Sequence, residues 1–259
     1  MSRYQVLSVT AAGLLAVTLV STTGAQITVY NNFGPDHDGW DYNWGLGWTV
    51  AGEDVPSQYG VEQAMGFVPT ASGFVSDIWV AMWQVPFEPG YDEVTLRLAR
   101  NPDNLPPTEE DVMEEWTMTD FPSWDDWSPP HHLVGSGTSY LEEGESYWLW
   151  AVGGPTTWCG WCMNIDPGLT CPHTLRREGE DWLPIGNETA SAFRVDVLGC
   201  TGDVDGDGDT DLSDLAALLA AYGSFVGDPS YNANADFDSD DDVDLTDLAF
   251  LLADYGCGA

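Results

Sequence analysis

The chain contains no lysine. Six arginines stand against 43 aspartates and glutamates in 259 residues, a formal charge of −37. A surface so poor in cations repels phosphate backbones and anionic lipid, which excludes nucleic acid and acidic membranes as partners. Long apolar runs are equally scarce. The longest, residues 6–20 (VLSVTAAGLLAVTLV), is too short for a comfortable bilayer crossing, so no integral membrane span is expected. Catalytic signatures are missing as well. No G-x-S-x-G, HExxH or glycine-rich phosphate loop occurs, and His131–His132 has no companion ligands at metal spacing.

What is present starts with an address. Arg3 precedes the apolar run, and the small residues Thr23 and Ala25 follow it, the pattern of a secretory signal peptide over residues 1–25. The chain is therefore expected to be secreted, in solution outside the cell or held at its surface. With 43% apolar residues and 13 tryptophans, it can build a sizeable core.

Composition then divides the chain at Cys200. Residues 26–199 hold all the tryptophans, whereas residues 201–259 contain no Trp, Lys, Arg or Glu but 15 aspartates. The first region reads as β. QITVY (26–30), GWTVAG (47–52), SDIWVAMWQV (76–85), DEVTLRLAR (92–100), SYWLWAVGG (146–154) and SAFRVDVLG (191–199) are short, mostly alternating segments. Gly, Pro, Asn and Asp clusters separate them, as in an all-β sandwich. Only PPTEEDVMEEW (106–116) reads as helix, with Thr108 as N-cap and Asp111 completing a capping box. The expected fold class is mainly β: a Trp-rich β-sandwich over 26–199, then a small α-helical calcium-binding unit over 200–259.

That second unit is an internal repeat. DVDGDGDTDLSDLAALLAAYG (203–223) aligns with DFDSDDDVDLTDLAFLLADYG (236–256) at a shift of 33 residues. EF-hand calcium loops place oxygen ligands at positions 1, 3, 5, 7 and 12, the seventh through its backbone carbonyl, often with a water at 9. Here those positions are Asp203, Asp205, Asp207, Asp209, Asp214 and, at 9, Asp211. In the second copy they are Asp236, Asp238, Asp240, Asp242, Asp247 and Asp244. So many like charges oppose folding unless a cation is supplied, and two Ca²⁺ ions are the expected cofactors. Gly208 occupies the sixth position, where the turn is sharp. Asp241 replaces it in the second copy, which predicts a strained loop. Leu212, Leu215, Leu218, Leu219 and Tyr222 follow the first loop, and Leu245, Leu248, Leu251, Leu252 and Tyr255 follow the second, each set a helical stripe ending at Gly223 or Gly256. The two stripes are expected to pack on each other.

These duplicated loop–helix units resemble a type I dockerin module. The resemblance covers roughly 201–256 and implies calcium binding and docking to a cohesin. The dockerin contact pair at loop positions 10 and 11 is here Leu212–Ser213 and Leu245–Thr246, and the helices lack basic residues. The calcium chemistry carries over. The partner is left open between a cohesin-like protein and a cell surface.

Cys200 and Cys257 bracket the repeats and are expected to pair in an oxidising compartment. Cys159, Cys162 and Cys171 leave two alternatives, a disulfide plus a free thiol or a Cys₃His zinc site with His173. The first region also resembles the choice-of-anchor R domain. The resemblance rests on VYNNFGPD, GWTVAG, QAMGFVPTASGFVSDIWVAM, VTLRLARNPDNLPP, LEEGESYWLWAV and AFRVDVLG, within 28–198. It implies a β-sandwich without an established catalytic role.

Three functions stay open on this basis. A glycan-binding module would stack sugars on loop tryptophans, with Trp40, Trp44, Trp124 and Trp127 as candidates. A glycoside hydrolase would need two carboxylates flanking the scissile bond. Glu109, Glu110, Glu114, Glu115, Asp125 and Asp126 are available, although such abundance reads better as a solvated face. A purely structural surface protein is the third.

Overall fold

Phe193, Val195 and Val197 are buried, while Arg194 and Asp196 between them form an ion pair on the opposite face. This period-2 pattern recurs along the chain and makes it mainly β. The computed structural model describes residues 26–55, 60–85, 93–101, 105–123, 127–166 and 168–258. The expected signal peptide, together with Trp124, Asp125 and Asp126, lies outside the described residues.

The strands in chain order are β1 Gln26–Asn31, β2 Asn43–Ala51, β3 Val61–Phe67, β4 Gly73–Val80, β5 Met82–Gln84, β6 Val94–Arg100 and β7 Val112–Met118. They continue as β8 His131–Val134, β9 Tyr140–Leu141, β10 Tyr147–Gly153, β11 Trp158–Met163, β12 Thr170–Arg177, β13 Leu183–Thr189 and β14 Phe193–Leu198. One helical turn, α1 (Asp36–Gly39), joins β1 to β2. β1-β14-β4-β8 form the smaller sheet, with β9 also on β4. β5-β11-β2-β3-β10-β6-β7 run through the larger sheet, and β12 and β13 extend it from β3. Every pairing between named strands is antiparallel.

Inward side chains of both sheets meet in one core. Val75, Ile78, Phe193 and Val195 from the smaller sheet pack with Met65, Leu96, Leu98, Leu149 and Trp161 from the larger. That is the sandwich arrangement. The larger sheet's outer face is covered too. Trp150 is fully buried between the guanidinium groups of Arg97 (4.5 Å) and Arg176 (5.2 Å), and its indole N–H donates to Glu62 at 2.7 Å.

The expected helix over 106–116 is not formed. Thr108 and Asp111 do make their capping box, but it closes a single 3₁₀ turn, Glu109–Asp111, and the chain then enters β7. Pairing with β6, which sets Trp116 opposite Leu96 and Glu115 opposite Arg97, overrides the local helical preference.

The cysteines divide as strand geometry requires. Cys200 and Cys257 form a disulfide, as expected. Cys159, Cys162 and Cys171 are buried and none of them is in a disulfide, which corrects the expected second bridge. Cys159 and Cys162 are three apart on β11 and so face opposite sides. One joins the main core, the other a satellite cluster with Phe33 and Tyr42. Nor do they gather with His173 as a metal-capable group, since Cys159 and Cys162 lie on opposite faces of β11, and the His173 Nε2 atom meets Gln63 at 2.7 Å.

Beyond β14 come α2 (Leu212–Ala221) and α3 (Leu245–Asp254), each of ten residues. No helix among the described residues is long and apolar enough to cross a membrane.

Candidate metal centre

Each aspartate loop is built by its own first residue. Asp203 accepts backbone N–H bonds from Gly206, Asp207 and Gly208 at 2.6–3.1 Å. Asp236 does the same for Asp240 and Asp241 at 3.2 Å and accepts the Tyr231 hydroxyl at 2.7 Å. That last bond pushes the Tyr231 hydroxyl up to about 12. The loops therefore curl around a carboxylate, and the tight bends need left-handed backbone. Gly206 and Gly208 supply it at φ 83° and 98°, whereas the second loop sets Ser239 and Asp241 at φ 57° and 74°. The strain expected at Asp241 is present.

The helices close the loops from the other side. Asp211 and Asp244 cap α2 and α3, accepting from Ser213 N and Thr246 N at 2.6 Å. Asp214 and Asp247 return the bond to the cap backbone at 2.7 Å. Both are fully buried. Asp214 also accepts from Val204 N and Asp205 N, and Asp247 from Phe237 N. Position 12 is thus the hinge of the loop as well as a candidate ligand.

Carboxylate oxygens converge on this buried residue from two sides. Ligand atoms of Asp203, Asp205 and Asp214 lie within 4.8 Å of one another, as do those of Asp207, Asp209 and Asp214. Asp236, Asp238 and Asp247 repeat the first group. The other group of the second loop is Asp242, Asp244 and Asp247, one ligand position further on, and Asp211 of the first loop joins neither of its groups. Asp240, at position 5 of the second loop, falls outside these groups; it accepts from Asp242 N at 3.2 Å. Loss of solvent and then the neighbouring carboxylates raise Asp205, Asp209, Asp238 and Asp242 above the ordinary aspartate range.

A hard divalent cation fits this donor set. All the side-chain donors are carboxylate oxygens, the chemistry Ca²⁺ prefers over soft-ligand metals. One oxygen each of Asp209 and Asp242, the two seventh positions, is buried with no hydrogen-bond partner. An orphaned buried acceptor is costly, and a cation removes that cost. Cys200, Asp254 and Cys257 also lie close together, but the two sulfurs are already bonded to each other.

The repeats clasp each other through crossed backbone bonds. Thr210, at position 8 of the first loop, exchanges bonds with Gly256 and Cys257 beyond α3 at 2.8 and 2.9 Å. Val243, its counterpart, exchanges bonds with Gly223 and Ser224 beyond α2 at 2.7 and 2.9 Å. Leu218 and Leu251 seal the centre with Val204, Ala221, Ala235 and Val243. The stripes pack only in part, which corrects the expectation that they bury each other. The buried side of α2 is centred on Asp214, Leu218 and Ala221, so Leu212, Leu219 and Tyr222 point to solvent. Leu245, Leu252 and Tyr255 do likewise on α3.

The candidate tryptophans among the described residues divide. Trp40 and Trp127 pack against the Phe33–Tyr42 cluster, and Trp44 lies in β2, exposed. His132 stacks on Trp79 at 3.9 Å and meets Asp77 at 2.5 Å, a partnership between strands that sequence spacing did not reveal. Glu109 and Glu115 pair with Arg97, and Glu114 accepts from Ser136 N, so these carboxylates hold the sheet edge together. No protein family and no curated protein matches the chain.

Proposed function

We propose that this is an exported, non-catalytic protein of two parts, a β-sandwich that recognises a polysaccharide and a dockerin-like tail that binds two calcium ions and docks to a partner. The observation that carries the calcium reading is the pair of carboxylate cages, each with an orphaned buried oxygen, in a segment that has no basic residue. Charge supports it further. Fifteen aspartates without a counter-ion repel one another, and two bound divalent ions offset much of that repulsion.

Docking is supported by the six duplicated apolar side chains, three per helix, that the module leaves in solvent. Large exposed apolar groups rimmed by charge mark partner surfaces. The loading of both loops orients the two helices, so the surface depends on calcium. The resemblance of residues 28–198 to the choice-of-anchor R domain supports reading the sandwich as a non-catalytic unit.

Calorimetric titration of the full chain with CaCl₂ after chelation tests this. Two ions are expected per chain, with Asp214→Asn and Asp247→Asn each removing one. Identical thermal melts in EDTA and in millimolar calcium, with no binding heat, would dispose of the calcium reading. Release of reducing sugar from a polysaccharide would replace the recognition role with a hydrolytic one.

A further inference from the structure

We infer that the outer face of the larger sheet carries a groove for an uncharged oligosaccharide, between the 105–111 segment and the β12–β13 hairpin. This rests on the reading of the sandwich as a polysaccharide-recognition unit and places the site away from the loop tryptophans. Two hollows sharing Pro106 form the groove, of about 480 and 200 Å³. The larger is within the range of about 300–1,000 Å³ usual for small-molecule sites.

Trp182 lines the larger hollow with Leu105 and Pro106. Its ring is held in place from the side away from the groove. Arg176 lies over it at 4.9 Å and Trp150 meets it edge-on at 5.6 Å, yet neither of those lines the hollow. Arg176 is itself fixed by two contacts to Glu62, at 2.8 and 3.1 Å. The result is a braced aromatic wall, which suits the C–H face of a pyranose ring.

The smaller hollow supplies the polar demand. Asn101 lines it, is 5% exposed, and its side-chain oxygen has no hydrogen-bond partner. A buried amide left unpaired costs about 1–3 kcal/mol, which a ligand group can recover. A sugar hydroxyl meets this need whichever way the amide is turned, since it both donates and accepts. Asp111, Asp181 and Arg100 border the larger hollow and offer both acceptors and a donor to further hydroxyls. A polyanion is disfavoured by the net charge of −37.

The test uses the full chain in calcium. Retention is measured on insoluble cellulose, xylan, mannan and chitin, with polygalacturonate as an acidic comparison and a proline-rich peptide as a polymer without sugar hydroxyls. The hexaose of the retaining polymer is then titrated calorimetrically. At least one uncharged polymer is expected to bind, with Trp182→Ala weakening the hexaose at least tenfold and Asn101→Ala severalfold. Hydrogen exchange of the unaltered protein is expected to slow over 105–111 and 181–187 on hexaose binding, a readout that does not depend on a variant folding. Binding that survives Trp182→Ala, or that is lost instead in Trp44→Ala, overturns the groove but leaves glycan recognition standing. Preference for polygalacturonate overturns the uncharged-ligand groove but leaves polysaccharide recognition standing, whereas retention of no polysaccharide, or preference for the peptide, overturns both.

Discussion

The hydroxyl of Tyr140, on β9, donates a 2.7 Å hydrogen bond to the carbonyl of Gly208, the sixth residue of the first aspartate loop. Phe74 steadies the phenol edge-on at 5.0 Å. A Cβ at position 208 would lie 2.8 Å from Cβ of Ser72, so the sandwich and the φ of 98° both demand glycine there. The first loop is thus seated on the sandwich. Its counterpart in the second loop, Asp241, is exposed; its N–H donates to Asp236 and its carbonyl accepts from Val226 N at 2.8 Å.

This seating predicts that the two metal sites respond differently to one distant change. Tyr140→Phe removes a hydrogen bond with a net worth of about 1 kcal/mol, which corresponds to roughly a fivefold change in affinity. The loss is expected at the first site alone. Calcium titration of Tyr140→Phe in an Asp247→Asn background isolates that site, and the matching Asp214→Asn background isolates the other. Equal affinities with and without the phenol hydroxyl would mean that the contact does not organise the loop.

The second loop is open to improvement where the first is not. Ser239 and Asp241 sit at φ 57° and 74°, conformations that cost a non-glycine residue about 1–2 kcal/mol. Asp241→Gly is expected to raise the melting temperature of the metal-free protein, and Ser239→Gly to add to it. Gly208→Asp is expected to lower it sharply, because the new side chain would meet Ser72. Melts in EDTA separate this backbone effect from any change in calcium affinity.

The loops could be read from the sequence because their candidate ligands lie within twelve contiguous residues and the pattern recurs. Strands with clean alternation, such as β6 and β14, were legible for the same local reason. β11, β12 and β13 were not, since WCGWCM, TCPHTLRR and LPIGNET mix glycine, proline and cysteine with no apolar period. Their places are set by pairing with β2, β3 and each other. The groove lay further out of reach. Asn101, Pro106 and Trp182 come together only through the β10–β3–β12 order, and Trp182 occupies a turn that marks no site by itself.

The disulfide matters most when the metal is absent. Cys200 and Cys257 are 57 residues apart, a closure for which chain entropy accounts for about 4 kcal/mol. Bound as proposed, calcium would cross-link the same segment through both loops, so the two restraints would overlap. Cys200→Ser with Cys257→Ser is expected to destabilise the tail by about that amount in EDTA and by less in calcium. An equal loss in both conditions would show that the restraints act independently.

One buried histidine predicts an acid-sensitive sandwich. Gln63 donates its amide N–H to the Thr49 carbonyl at 2.8 Å, so its oxygen is the atom facing His173 Nε2. Nε2 therefore carries the proton and Nδ1, buried and unpaired, is the bare nitrogen. Burial beside Trp48 pushes the imidazole down to about 4 from its ordinary 6.5. The folded form thus resists a proton that the unfolded chain accepts below pH 6.5. Stability from this residue is complete above that pH and is lost as pH falls through 6.5 towards 4, by about 3 kcal/mol in all. Urea unfolding of the wild type and His173→Gln at a series of pH values gives the difference curve that isolates it from the carboxylates. The glutamine variant should lack the decline across that window. If both proteins decline in parallel, His173 takes up its proton alike in the folded and unfolded chain, and burial does not hold its imidazole down.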